Sequence, residues 1–436
     1  MAYIKESVVE QIWETADILH VIKDFITLNK QGANYIGLSP FKEESTPSFT
    51  VSPAKGIWKC FATGQGGSSA VSFLMAAQKK SYPDALEYLA SKYSITLEYD
   101  NSEYAKEQNK IHERRLELQP LLESTIRKFE EAFKNLPKNH PAKIEVYGKR
   151  QYTEKIVEDY RIGFAPGGTF IYDLCAPLGR VEDAKELGLI KEYSSYTADF
   201  WKERVVYPLI ENKGTSYSPV GLAGRDLSET GKYAKWLNSP ESSLYKKETF
   251  WFGLDKAKKT IVETSEAWLV EGYNDVIAWQ THGILNTIAS CGTSVALKQM
   301  KVLRKLCDKV ILCFDPDSAG KKAMLKYIPQ LLKLGFRVQL LLLNQDPDDS
   351  VRLWKNWIGK KPDLTEMSQE RDYREEGFSW LMEHRFKGKD AIETVSEAKK
   401  LAIIIKSIDD ESMRTIYAGM LQQKSKVSKT QINSWL

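Results

Sequence analysis

The chain has 436 residues, 42% of them hydrophobic and 28% charged, which is typical of globular proteins and excludes a fibrous or disordered chain. Domains usually hold about 100 to 200 residues, so this length predicts several of them, and no apolar run approaches the roughly 18 residues of a membrane span. The 62 Lys and Arg nearly balance the 58 Asp and Glu, so a nucleic-acid-binding surface would have to come from local clustering of charge.

Cysteine usage and the N-terminus bear on the cellular compartment. The five cysteines are scattered and form no Cys-x-x-Cys pair, which argues against a disulfide framework and against an ordinary zinc ribbon. The chain does not begin with a basic segment followed by an apolar one, so we expect no secretory signal. The protein is therefore predicted to be cytoplasmic.

The first hundred residues predict a small antiparallel sheet between helices. Apolar residues at helical spacing predict an opening helix that ends near Asp24. Short β-like runs separated by turn residues follow, and two helical patterns come after them. The next segment, residues 101–115, has few apolar positions and is predicted to be a linker that is partly helical.

The rest of the chain changes from a mixed segment to a regular alternation. A helical stretch at 116–133 leads into a mixed segment with a slight local excess of basic residues. From about residue 261, apolar strands alternate with helices, which predicts a parallel sheet covered on both faces. Residues 377–436 have helical periodicity and predict a small helical bundle. The predicted fold class is therefore α+β with several domains.

Six acidic residues lie at or just beyond the ends of three predicted strands. They are Glu271, Asp275, Asp315, Asp317, Asp346 and Asp348. The carboxyl ends of parallel strands meet at one edge of a sheet, so we expect these side chains to lie close together. Carboxylates at such proximity repel one another unless a cation neutralises them, and hard oxygen ligands suit Mg²⁺ or Mn²⁺. Asp-Pro sequences also form turns on their own account, which remains an alternative for the group that begins at Asp346.

Several segments resemble DnaG-type primases of bacteria and phages. Three are similar to the toprim domain of that family, namely Val270-Glu-Gly-Tyr-Asn-Asp-Val276, Ala289-Ser-Cys-Gly-Thr-Ser294 and Phe314-Asp-Pro-Asp-Ser-Ala-Gly320. Upstream segments, among them Tyr160-Arg-Ile-Gly-Phe-Ala-Pro166 and Gly221-Leu-Ala-Gly-Arg225, are similar to the basic half of the same polymerase core. The resemblance implies that Glu271, Asp315 and Asp317 are catalytic metal ligands. It places Asp275, Asp346 and Asp348 in a second group around the metals.

The resemblance also implies a set of basic residues that hold template and nucleotide phosphates. They are Arg150, Arg225, Lys235 and Lys247. Arg offers a planar fork to phosphate oxygens and Lys a mobile point charge, so both residue types suit this task. The alternative is that these are surface charges without a ligand.

The N-terminal hundred residues resemble the zinc ribbon of the family, but three of the four expected ligands are missing. The sequence has Ser39-Pro-Phe-Lys42 and Cys60-Phe-Ala-Thr63, so only Cys60 remains. A Lys ammonium has no lone pair to give to a metal, and we therefore expect no zinc. Most aromatic residues here are predicted to form a core. Trp58 is predicted to be exposed and, with Lys59, to bind a single strand.

The resemblance implies a primase that makes short RNA primers on single-stranded DNA from nucleoside triphosphates. It implies a replicative helicase as a partner, fused or separate, no membrane, and the cytoplasm of a bacterium or a phage-infected cell. Little chain follows the polymerase core, so the chain is either a fragment of a longer protein or reaches its helicase in another way. A replication accessory protein without priming activity, and a toprim nuclease or topoisomerase, are the alternatives.

The resemblance and the element pattern together predict five parts. They are a zinc-ribbon-like DNA-binding domain at 1–100, a linker at 101–115, a mixed α/β basic subdomain at 116–260, a Rossmann-like parallel toprim sheet at 261–350 and a helical subdomain at 351–436.

Overall fold

The computed structural model describes residues 3–100, 102–213, 216–228, 233–290, 292, 295–353 and 373–436. Contacts between residues divide the chain into two units, Met1–Lys246 and Lys247–Leu436. Within the described ranges, no helix combines the length and the apolar character needed to cross a bilayer. The prediction of a mixed α/β chain is confirmed.

The first unit begins with a five-stranded antiparallel sheet between short helices. Its elements are β1 (Tyr3–Ile4), α1 (Glu6–Thr15), α2 (Ile18–Lys23), β2 (Asn29–Gln31), β3 (Asn34–Gly37), β4 (Phe49–Ser52), β5 (Ile57–Cys60), β6 (Gly66–Gly67), α3 (Ala70–Gln78), α4 (Tyr82–Lys92) and β7 (Tyr99–Asp100). Strands β2 to β6 follow one another in the sheet. The single predicted opening helix is two helices, because Asp17 accepts a hydrogen bond from the backbone N–H of His20 and starts α2.

A helix of 33 residues, α5 (Glu103–Asn135), follows. The segment 101–115, predicted to be a partly helical linker, is helical from residue 103 onward and is continuous with the predicted helix at 116–133. Ion pairs rather than an apolar stripe hold this charged part of α5, since Arg114 Nη2 lies 2.6 Å from Asp183 and 2.7 Å from Glu186. Two residues further along α5, Leu116 joins the hydrophobic core of the N-terminal sheet.

The remainder of the first unit is built on a second antiparallel sheet. Its elements are α6 (Pro141–Lys143), α7 (Glu154–Asp159), β8 (Gly163–Ala165), α8 (Tyr172–Cys175), α9 (Val181–Glu186), β9 (Ile190–Glu192), β10 (Thr197–Asp199), β11 (Arg204–Lys213), β12 (Ser216–Asp226) and β13 (Trp236–Asn238). A π-helical segment, Ile144–Lys149, follows α6. The sheet has the order β13-β12-β11-β8. Its long hairpin of β11 and β12 was not predicted, because Pro208 and Pro219 within the strands obscure the strand pattern.

The second unit contains the predicted parallel sheet. Its elements are β14 (Trp251–Phe252), α10 (Leu254–Thr264), β15 (Glu266–Val270), α11 (Tyr273–Thr281), β16 (Thr287–Ser290), α12 (Leu297–Arg304), β17 (Lys309–Leu312), α13 (Ser318–Lys333), β18 (Arg337–Leu342), α14 (Pro347–Leu353), β19 (Tyr373–Glu376), α15 (Gly377–Phe386), α16 (Ala391–Lys406), α17 (Glu411–Ser425) and α18 (Lys429–Trp435). The order is β14-β16-β15-β17-β18-β19. The four central strands are parallel, and β14 and β19 pair antiparallel at the edges.

Helices cover both faces of this sheet. On one face, Trp268 of β15 packs against Trp279 of α11, with ring centroids 5.3 Å apart. On the other face, Leu269 belongs to a core that also holds residues of α10, α12, α13 and the C-terminal helices. Helices α12 and α13 each follow a parallel strand, so both begin at the carboxyl edge of the sheet and run back along this second face.

Candidate active site

The six predicted acidic residues meet at the carboxyl edge of the parallel sheet. Glu271 directly follows β15, and Asp315 and Asp317 lie between β17 and α13. The remaining three lie near this edge as well: Asp275 is in the first turn of α11, Asp346 directly precedes α14, and Asp348 is in its first turn. The residues of the Asp346 group therefore begin a short helix instead of a turn, and this helix start brings carboxylates to the edge.

Backbone amides position two of the three central carboxylates, those of Glu271 and Asp317. Oε1 of Glu271 accepts a hydrogen bond of 3.1 Å from the backbone N–H of Asp315. Oδ1 of Asp317 accepts two hydrogen bonds of 2.8 Å from backbone N–H groups and caps α13. Gly320 makes this packing possible, because a Cβ there would lie 2.2 Å from the Asp315 carbonyl oxygen and 2.9 Å from Glu271 Oε1.

The carboxylates influence one another electrostatically. Burial raises the pKa of Glu271, and the charges of Asp317 and Asp346 raise it further. Burial likewise raises the pKa of Asp275 to about 7, with the charge of Asp348 as the next cause. Burial is the main cause of both raised pKa values, and the neighbouring carboxylate charges add to it, as expected for like charges that lie close together.

The arrangement suits a hard divalent cation by its donors. Every candidate ligand is a carboxylate oxygen, and a cation would relieve the repulsion that raises the pKa values of Glu271 and Asp275. Within the described ranges, no three acidic, His or Cys side chains already surround one point. Asp317 and Asp275 instead accept hydrogen bonds from helix-start amides.

Lys247 lies at the same edge of the sheet. A Cβ on Gly292, in the loop after β16, would come 2.8 Å from its Nζ. The structure therefore places one of the four predicted basic residues beside the loop that follows a central strand. A side chain at position 292 would meet the end of the flexible Lys247 side chain, which would have to move aside.

Arg150 and Arg225 in the first unit converge on a buried carboxylate that was not predicted. Nε of Arg150 donates a hydrogen bond of 3.0 Å to Oε1 of Glu145. Nε of Arg225 lies 2.6 Å from the same oxygen but makes no hydrogen bond, so this second contact is electrostatic and misaligned. Only 4% of the Glu145 side chain is exposed, against 20% and 15% for the two arginines. Glu145 therefore anchors both of these basic residues.

The fourth predicted basic residue, Lys235, is exposed and directly precedes β13, which pairs with β12. Its backbone carbonyl accepts a hydrogen bond of 2.9 Å from Asp226 N–H at the end of β12. The next residue, Trp236, has its ring 5.9 Å from the guanidinium carbon of Arg225. Two of the predicted cations are thus placed by one pair of neighbouring strands.

The prediction that Trp58 is exposed is wrong. Only 2% of it is accessible, its ring stacks on Phe49, and its Nε1 donates a hydrogen bond of 3.1 Å to Ser72. The exposed aromatic residue of this region is Phe61, of which 64% is accessible, with the ammonium of Lys59 at 5.7 Å from its ring. Lys59 lies on β5 between the buried Trp58 and Cys60, so it faces the other side of the strand.

Three family models match successive parts of the chain. They are the CHC2 zinc finger over residues 4–105, the N-terminal domain of the DNA primase catalytic core over residues 129–258, and a Toprim-like model over residues 268–351. A DNA primase of Clostridium acetobutylicum is 32% identical over 355 residues, which cover 80% of this chain. The chain belongs to the DnaG-type primase family.

Solved primase structures have the same fold. The zinc-binding and RNA polymerase domains of the Aquifex aeolicus primase match 98% of this chain and 99% of that one, with a TM-score of 0.64 and 28% identity. A DnaG primase catalytic domain bound to single-stranded DNA matches 73% of this chain at 24% identity, with a TM-score of 0.61. The chain spans 57% of the length of the Clostridium primase, so it corresponds to little more than half of such a relative.

Membership of the primase family corrects the expectation of no zinc. The model that matches residues 4–105 is that of a zinc finger and points to a zinc-binding domain. The expectation followed the residues at three single positions, Ser39, Lys42 and Thr63. The match instead spans nearly the whole N-terminal domain, whose five-stranded sheet and flanking helices are intact.

The surroundings of Cys60 show which donors this primase-family domain keeps. The Ser39 hydroxyl oxygen lies 3.2 Å from Cys60 Sγ, and burial, which raises the thiol pKa, is more than offset by hydrogen bonds, so that this pKa is lowered. Oε1 of Glu44 accepts hydrogen bonds from the backbone N–H groups of Ser39 and Ser48. A thiol with a lowered pKa and a carboxylate are both groups that bind zinc in proteins.

Proposed function

We propose that this chain is a DNA primase, which joins nucleoside triphosphates into short RNA primers on a single-stranded DNA template. The observation that carries this proposal is the set of six carboxylates at the carboxyl edge of a parallel sheet, in a chain of the primase family. The single-stranded DNA bound to the related DnaG catalytic domain supports the choice of template. The bacterial relatives support a cytoplasmic location, and a replicative helicase is the proposed partner.

The six carboxylates at the sheet edge would bind the metal ions that this reaction needs. Glu271, Asp315 and Asp317 would hold Mg²⁺ or Mn²⁺, with Asp275, Asp346 and Asp348 around them. Such ions supply a lowered pKa for the attacking hydroxyl and a charge partner for the leaving pyrophosphate. The backbone contacts of Glu271 and Asp317 preset the positions of their carboxylates, so that little reorganisation accompanies the reaction.

The basic residues would hold phosphates of template and nucleotide. Arg150 and Arg225 carry planar guanidinium groups that Glu145 holds at one place. Lys235 is exposed, and Lys247 lies beside the loop after β16, so both provide point charges. In the N-terminal domain, Lys59 remains a candidate contact to a single strand, and Phe61 replaces Trp58 as the aromatic side chain beside it.

Primer synthesis by the purified chain tests the proposal. Labelled nucleoside triphosphates, a single-stranded template of mixed sequence and Mg²⁺ or Mn²⁺ are expected to give short RNA products whose sequence follows the template. Glu271→Gln should abolish the products without lowering the melting temperature. Template binding without products from the native chain would contradict the proposal in favour of an accessory protein, and cleavage or relaxation of the DNA would contradict it in favour of a nuclease or topoisomerase.

A further inference from the structure

Two neighbouring helices of the second unit carry basic residues and no acidic ones. Residues 297–307, which include α12, and residues 318–337, which include α13, contain nine Lys and Arg and no Asp or Glu. The whole chain has nearly equal numbers of both charges, so this separation is local. It lies outside the four basic residues assigned to template and nucleotide.

Six lysines of this region form an exposed surface, which we call the lysine band. They are Lys301, Lys305, Lys321, Lys322, Lys326 and Lys333. None of them makes an ion pair with another residue in the described part of the chain. On α13, Lys322, Lys326 and Lys333 are spaced by four and seven residues and therefore share one side of the helix. The opposite side of α13 packs into the core through Met324, Ile328 and Leu331.

The lysine band is one surface because α12 and α13 are tied together. Nε of Arg304, at the end of α12, donates a hydrogen bond of 3.1 Å to the carbonyl of Leu334, directly after α13. The guanidinium of Arg304 also lies 5.6 Å from the ring of Phe336. Both helices begin at the carboxylate edge of the sheet, so the band starts at that edge and leads away from it.

The chemistry of the band selects its ligand. Lys321 and Lys333 are twelve residues apart on α13, which corresponds to about 18 Å along the helix axis. Duplex nucleic acid advances about 3.4 Å per base pair, so this length matches roughly five base pairs. Proteins hold single strands with exposed aromatic side chains on which bases stack. The one aromatic residue of α13, Tyr327, is only 3% exposed. Cations without stacking partners suit the paired backbone of a duplex.

We propose that the lysine band binds the phosphate backbone of the primer–template duplex as it leaves the carboxylate edge. This inference rests on the proposed priming function and adds a product-binding surface to it. The band would hold the duplex without reading its sequence, because lysine contacts to phosphates carry no base information. It would act only once several base pairs exist, and would leave the first bond formation unaffected.

Duplex binding by the full chain tests this inference directly. The triple variant Lys322→Gln, Lys326→Gln and Lys333→Gln removes half of the band. The matched control, Lys387→Gln, Lys406→Gln and Lys429→Gln, removes three exposed lysines of the C-terminal helices and changes the net charge equally. Affinity for a ten-base-pair RNA–DNA hybrid and for the unpaired DNA strand is measured over a range of salt concentrations, and circular dichroism monitors the fold.

The band variant is expected to bind the hybrid less tightly, with a salt slope smaller by up to about 2.7 for three lost phosphate contacts. Its affinity for the single strand, and the behaviour of the control variant, should equal those of the native chain. An unchanged hybrid slope overturns the inference. Equal losses in the control, or on the single strand, also overturn it, since they would mean a general effect of net charge.

Product length separates this inference from the proposed function. If the native chain makes primers, the band variant should form the first dinucleotide at the native rate and release shorter products. Native product lengths from a variant that binds the hybrid poorly would overturn the role in synthesis. If the native chain makes no primers, priming is refuted, while the hybrid-binding measurement still decides whether the lysine band holds a duplex.

Discussion

The carboxylate edge of the second unit and the arginine cluster of the first handle like charges in opposite ways. At the edge, Glu271 and Asp275 lie among other carboxylates, and their pKa values are raised by burial and by those charges. In the cluster, Arg150 and Arg225 share the buried Glu145 as a common counter-ion. The edge therefore holds several carboxylates close together and is suited to recruit cations, whereas the cluster holds a carboxylate between its two arginines.

This difference teaches what each region needs from its ligand. Carboxylates that lie close together repel one another, and a bound cation relieves that repulsion, so stability and metal binding are linked there. A pair of guanidinium groups on one carboxylate keeps net positive charge and a fixed geometry, so a phosphate meets preset donors. Removing one charge should therefore stabilise the carboxylate edge and destabilise the arginine cluster.

The largest effect is expected for Asp315→Asn. The change removes an anionic ligand while it keeps the shape of the side chain, and we expect primer synthesis to fall by more than about 100-fold. Asp308→Asn is the matched control, because Asp308 precedes the same strand, β17, at the opposite edge of the sheet and pairs with Arg304. Rates of nucleotide incorporation measure both. Activity near that of the native chain in Asp315→Asn would assign this residue to turn formation alone.

The next largest effect is expected for Glu145→Gln, which should lower the stability of the first unit. It removes the carboxylate that both guanidinium groups contact, and breaking a fully buried pair costs about 3 to 5 kcal/mol. The loss should be smaller here because both arginines are partly exposed. Denaturant midpoints measure it, and the KM for nucleoside triphosphates should rise while kcat changes less.

The control for Glu145→Gln is Glu182→Gln, which breaks an exposed ion pair with Lys185 in the same unit. Exposed pairs contribute about 1 kcal/mol or less, so its midpoint should hardly move. Glu145→Asp keeps the charge and should restore part of the KM. Equal midpoints for Glu145→Gln and Glu182→Gln would show that Glu145 does not anchor the arginines.

A smaller effect is expected when one phosphate contact is removed at Lys235. Lys235→Ala should reduce the salt slope of DNA binding by about 0.7 to 0.9, similarly for all sequences, and should leave the melting temperature unchanged because this side chain is exposed. If Lys235 holds the triphosphate instead, nucleotide affinity falls and the DNA slope stays constant. Arg225→Ala should add a loss of stability, since its removal leaves Glu145 with one partner fewer. Lys138→Ala, at an exposed lysine elsewhere in the unit, is the control. If both the salt slope and nucleotide affinity are unchanged in Lys235→Ala, Lys235 is a surface charge only.

The smallest expected effect is a gain in stability from Asp275→Asn. The folded protein keeps Asp275 protonated up to a pKa of about 7, whereas the unfolded chain releases this proton near the ordinary value of 3.8. The folded state therefore binds more protons between these values, and its stability falls as the pH rises through this window. The Asn variant lacks this fall, so in a chelating buffer at pH 8 it should melt a few degrees higher than the native chain, and at pH 4 at nearly the same temperature. A lower melting temperature at pH 8 would contradict the repulsion.

The sequence predicts the carboxylate edge because the rule that places it is general. An acidic residue directly after an apolar parallel strand lies at the carboxyl edge whatever the rest of the fold. Glu145 follows no such rule. It lies in a π-helical segment, five residues before Arg150 and eighty before Arg225, and only the tertiary structure brings the three together.

The burial of Trp58 and the full length of α5 both have a signal in the sequence. Residues of β5 alternate in direction, so Trp58 and Cys60 share the buried side while Lys59 and Phe61 do not. The extra length of α5 was signalled by the Glu103–Lys106 and Arg114–Glu117 pairs at helical spacing. The long hairpin of β11 and β12 gave no such signal, because its glycines and prolines suit packing against neighbours such as Trp201, which a Cβ on Gly224 would approach within 2.8 Å.

Helix α5 has a consequence for how the molecule unfolds. Its residue Leu116 belongs to the core of the N-terminal sheet, and its residue Phe129 packs so closely on β8 that a Cβ on Gly163 would lie 2.7 Å away. The single helix α5 therefore contributes side chains to two hydrophobic cores. If one core unfolds together with α5, the other core loses the α5 side chains that pack in it. We therefore expect the first unit to unfold in one cooperative transition. A fragment that stops at residue 100 would lose the α5 wall of its core and would be poorly stable on its own.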